Sequence, residues 1–105
     1  MVVKDVLARA QFNAEKMGKA SLAAGDHLFA GLNAFEPGQE HKAHVHAGQD
    51  KLYFVLEGQG EVEVGEERLP VGPGDLVLAQ AGEVHSLRNP GPERLVVMVV
   101  FAPPP

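Results

Sequence analysis

The chain has no cysteine, no tryptophan and a single tyrosine among its 105 residues. Without cysteine there are neither disulfides nor thiolate metal sites, so a metal could be held only by nitrogen and oxygen ligands. Asparagine is scarce too, and with eight prolines this composition suits a heat-stable protein. Basic residues are also in deficit: nine Lys plus Arg stand against fourteen Asp plus Glu, a net charge of −5, with the positive residues scattered. Nucleic acid and anionic membranes are therefore not expected as partners. No long apolar run occurs. The opening "MVVKDVLARAQF" carries Lys4, Asp5 and Arg9 inside any would-be hydrophobic segment, which excludes a signal peptide or a spanning helix and makes a cytoplasmic protein the expectation.

What is present is a chain long enough for one domain with one core. Residues 4–20, "KDVLARAQFNAEKMGKA", hold helix formers with poor periodicity, enough for a helical turn or two. From about residue 20 the pattern changes to short runs rich in Val, Leu and Phe, each cut by Gly or Pro. Strands are expected at 27–35, 41–46, 51–57, 60–64, 67–71, 75–80, 84–88 and 94–102, with "EPGQ", "EGQG", "GPGD" and "NPGPE" among the turns. Short strands without long helices between them exclude a parallel α/β sheet. The organisation expected is an N-terminal segment over 1–20, a β barrel over 21–102 and a loose proline tail over 103–105.

Two strands are apolar on both faces. In "KLYFVLE", Leu52, Phe54 and Leu56 share one face, while Tyr53 and Val55 lie on the other between Lys51 and Glu57. The final "LVVMVVF" is apolar throughout. A two-layer structure whose outer apolar face is closed by homodimerisation accounts for both.

Chemistry concentrates in "HKAHVHAGQDK". His44 and His46 are two apart, so on a strand their imidazoles share a face and can chelate one ion. His41 should face the other way in a regular strand and reads as a solvated strand start. His27 reads as structural or exposed.

The spacing around these histidines resembles the cupin superfamily. Gly38, His44, His46, Lys51 and Gly58 fall at the intervals of its first motif, with Lys51 where the family has glutamate; Gly74, Gln80, Gly82, His85 and Asn89 follow the second, with Gln80 replacing proline. The resemblance covers residues 38–89 and implies a small antiparallel jelly-roll barrel, the double-stranded β-helix, open at one end. It further implies that His44, His46 and His85 hold a divalent ion such as iron, manganese, nickel or zinc, in a protein similar to metal-dependent dioxygenases, isomerases and cyclisation accessories of secondary metabolism acting on a small molecule. A non-catalytic or metal-free ligand-binding barrel is the alternative.

Lys51 is the departure, because a protonated amine has no lone pair to give a metal. Three readings compensate for it: a bulge turning Asp50 inward, the amide oxygen of Gln49 as a weaker ligand, or a lysine that points over the cavity and binds an anionic group. A fourth leaves Lys51 snorkelling at the barrel mouth without a role. Lys51 and Tyr53 are the candidate catalytic residues, as clamp and as acid or base.

Overall fold

The computed structural model describes residues 1–45 and 47–105, and of Ala43 and His44 it describes the backbone alone. Among the described residues nine strands follow a single 3-10 turn, Val6–Arg9: β1 (Gly18–Ala24), β2 (Phe29–Phe35), β3 (Glu40–His44), β4 (Asp50–Glu57), β5 (Gly60–Val64), β6 (Glu67–Val71), β7 (Leu76–Ala79), β8 (His85–Arg88) and β9 (Leu95–Ala102). They form two antiparallel sheets, β1-β2-β9-β4-β7 and β3-β8-β5-β6.

The period of two expected for a half-buried strand is clearest in β4. Lys51, Tyr53 and Val55 are buried, and Leu52, Phe54 and Leu56 are half-buried on the opposite face. Tyr53 and Val55 join Phe35, Val62, Leu87, Leu95, Val97 and Val99 in a core between the sheets. Turns close where glycine allows it. Gly58, in the β4–β5 turn, has φ +84°, and a Cβ there would overlap the Arg94 carbonyl oxygen, so both backbone angle and space demand glycine.

A second apolar cluster explains why β9 is apolar on both faces. Leu32, Ala34 and Val96 are buried on the outer side of the first sheet, packed against Val6, Ala10 and Phe12 of the N-terminal segment. That segment covers the β1-β2-β9 half. Over β7 the outer face remains open, with Leu76 and Leu78 exposed.

Strand β1 is the element the sequence does not announce. "GKASLAA" contains no β-branched residue, and its strand conformation comes from pairing with β2, from Gly18 opposite Ala34 to Ala24 opposite Phe29. It starts inside the segment expected to precede the barrel.

Candidate functional site

Three neighbouring elements set the site: β4 from the first sheet, β3 and β8 from the second. Lys51 lies in β4 opposite Phe101 of β9 and Ala79 of β7, in a register with no break there. Its parity with Tyr53 and Val55 places the side chain inside the barrel, 1% exposed. The ammonium sits 4.7 Å from the Tyr53 ring centroid and 4.8 Å from that of Phe101. Each aromatic face offers a desolvated cation about 2 kcal/mol or more. Nζ also lies 3.3 Å from His41 Nδ1. Lysine can only donate, so His41 accepts through Nδ1. Burial, and secondarily the charge of Lys19, lowers the Lys51 pKa to about 8.

His41 corrects the regular-strand expectation. The β3–β8 register shifts between His41 and His44, so that His41 pairs with Leu87 and His44 with His85. Three steps along β3 match two along β8; this bulge puts His41 opposite a buried leucine and brings its ring to Lys51. No sequence signal marked His41, because the bulge depends on the partner strand.

His85 is buried at the start of β8, its ring edge-on to Tyr53 with centroids 6.2 Å apart. Its Nδ1 is 3.1 Å from the Glu83 carbonyl oxygen, which can only accept, so Nδ1 carries a proton and donates it. The Tyr53 hydroxyl is buried and has no hydrogen-bond partner among the described residues. Burial raises its pKa, so it stays protonated through the neutral range.

His46 and the side chain of His44 lie outside the described residues. Among the described residues no group of three or more His, Asp or Glu is disposed to hold a metal. Neither proposed substitute for the missing glutamate reaches the interior. Asp50 pairs with Ala102 without the bulge that would turn it inward, and its carboxylate accepts from the Ala81 backbone N–H at 2.8 Å. Gln49 Nε2 donates to the Pro103 carbonyl at 2.9 Å, committing that side chain to the C-terminal tail. His27 is exposed in the turn before β2.

Beside Lys51 opens a cavity of about 370 Å³, with Lys19, Ser21, Asn33, His41 and Lys51 as polar lining against Phe29, Val99 and Phe101. Pro105 reaches it as well, so the proline tail makes contacts where the sequence suggested none.

The sequence of this antiparallel barrel matches the Cupin domain family over residues 31–101. The chain belongs to the cupin family. It is 29% identical to an oxalate-binding protein of Thermotoga maritima over 88 residues, 84% of this chain and 72% of that protein. It is 34% identical to a 5-nitrosalicylic acid 1,2-dioxygenase of Bradyrhizobium over 73 residues, 70% of this cupin and only 35% of the dioxygenase. Among solved structures, TT1209 from Thermus thermophilus superposes with a TM-score of 0.95 at 41% identity, covering 100% of both chains.

Proposed function

We propose that this cupin binds a divalent transition metal, of the iron, manganese, nickel and zinc class, through His44, His46 and His85 and acts as a metal-dependent enzyme on a small metabolite. The observation that carries the reading is the setting of His85: a buried imidazole whose Nδ1–H is fixed by a backbone carbonyl, with position 44 directly opposite in the ladder. Ligating histidines are commonly oriented in this way, through the second ring nitrogen. Three imidazoles suit these metals and leave coordination positions open. Such an ion, when bound, supplies Lewis-acid stabilisation of negative charge on a substrate oxygen.

The chain's own residues do the rest. Tyr53 keeps its proton and can donate it in a hydrogen bond, and Lys51 presents an ammonium to an anionic group. Phe101 and Val99 give the cavity an apolar wall on that side. The relatives support small-metabolite chemistry, one named for binding oxalate and one as a dioxygenase of 5-nitrosalicylic acid. Dioxygenase-like and isomerase- or cyclase-like reactions both fit this reading. In this proposal the protein is cytoplasmic and a homodimer.

A buried lysine at the usual glutamate position favours a second reading, a ligand-binding cupin without metal. Elemental analysis of tag-free protein beside a His46→Ala/His85→Ala double variant separates the two. About one equivalent of transition metal, lost in the variant, upholds the first. No metal after reconstitution upholds the second.

A further inference from the structure

Lys51 is a charged group in the wrong solvent. At 1% exposure it has lost its hydration, and among the described residues no carboxylate compensates it. Its partners are two aromatic faces and a neutral nitrogen of His41. Buried charges are normally paired, because removing an ammonium from water costs several kcal/mol that a neutral acceptor repays only in part. The surroundings add to the imbalance. In a chain with fourteen Asp plus Glu against nine Lys plus Arg, the cavity lining among the described residues includes two lysines and no Asp or Glu side chain.

We propose that this cavity binds a small monocarboxylate with an apolar body, its carboxylate on the Lys51 ammonium and toward Lys19, its body against Phe29, Val99 and Phe101. One fully buried cation matches one negative charge. A dianion would carry surplus charge into walls that are largely aromatic and aliphatic. Lys19 stands at the exposed rim, where it favours entry of an anion and lowers the cost of seating it. The cavity of about 370 Å³ leaves room for a body of several carbons beside the head group. This names a substrate class for the small-metabolite reading and rests on it only in placing a metabolite inside the barrel. The metal has no part in it.

Tyr53 provides the readout. It is the one tyrosine in a chain without tryptophan, and its ring centroid is 4.7 Å from Lys51 Nζ. Cyclohexanecarboxylate, which does not absorb in the tyrosine band, is titrated into tag-free protein, both chelator-stripped and zinc-loaded, with cyclohexanecarboxamide as the uncharged twin. A saturable change in tyrosine emission is expected in both forms, at least about tenfold weaker for the amide and for Lys51→Met. Lys19→Gln, on the exposed rim where folding is not at risk, should weaken binding several-fold. No saturable response at millimolar carboxylate, an equal response to the amide, or undiminished binding in both variants would overturn the site. Binding confined to the zinc-loaded form and unchanged in Lys51→Met would also overturn it, while leaving the metal reading intact. Binding without zinc and lost in Lys51→Met upholds it even if elemental analysis finds no metal.

Discussion

Lys51 Nζ and His41 Nδ1 meet at 3.3 Å although they belong to different sheets, one on β4 and the other on β3. The contact joins the two layers at the end of the barrel where the cavity opens. It also makes His41 a neighbour of the position that departs from the cupin motif.

Replacing Lys51 by glutamate exchanges an inward ammonium for an inward carboxylate. If residue 51 faces the ion, Lys51→Glu should tighten metal binding by tenfold or more, read by competition with a chromogenic chelator. Unchanged affinity would separate residue 51 from the metal site.

Lys51 also fixes a pH dependence. Its folded pKa of about 8 lies below the ordinary 10.5, so between those values the unfolded chain binds more protons than the native one. Stability should therefore rise as pH increases through that window, by on the order of 2 kcal/mol between neutrality and pH ~10. Tyr53 works against it above pH ~10, because burial holds its hydroxyl protonated while the unfolded tyrosine ionises. Chemical denaturation of chelated protein should show Lys51→Met more stable than wild type near neutrality, with the gap narrowing toward pH ~10. A gap independent of pH would mean the ammonium is solvated.

Asn89 is fully buried and holds the β8–β9 turn with three side-chain hydrogen bonds: Nδ2 donates to the Phe35 and Glu93 carbonyls at 3.0 and 2.8 Å, and Oδ1 accepts from Gly91 N–H at 2.8 Å. Asn89→Ala removes all three partners at once and should cost about 3 kcal/mol. An effect below ~1 kcal/mol in urea unfolding would show that water replaces the side chain.

The open outer face over β7 carries the dimer reading. Leu76 and Leu78 are 61% and 49% exposed on an edge strand, flanked by half-buried Leu52 and Phe54. Sedimentation should give a dimer at micromolar concentration, and Leu76→Lys/Leu78→Lys a monomer that remains folded. A wild-type monomer would leave this face uncovered.

Much of the barrel can be read from the sequence because its signals are local. Strands expected at 60–64 and 67–71 coincide with β5 and β6, and the two faces of β4 follow from alternation alone. Gly58 and Asn89 stand where turns need them. What escapes is set by partners distant in sequence. Strand β1 has no propensity of its own and exists through β2. His41 turns inward through a bulge defined by β8. Alternation puts Lys51 on the Tyr53 face but leaves open whether it points over the cavity or snorkels at the mouth, and its contact with His41, ten residues earlier, depends on that bulge.

The C-terminal prolines have a practical bearing on all of these measurements. Pro103 is tethered by Gln49, and Pro105 reaches the cavity. Anything fused after Pro105 would begin at the cavity, so a C-terminal polyhistidine purification handle would bring foreign imidazoles to the site whose own imidazoles are under test. Met1, 99% exposed and ahead of a segment packed on the outside of the barrel, is the safer point of attachment.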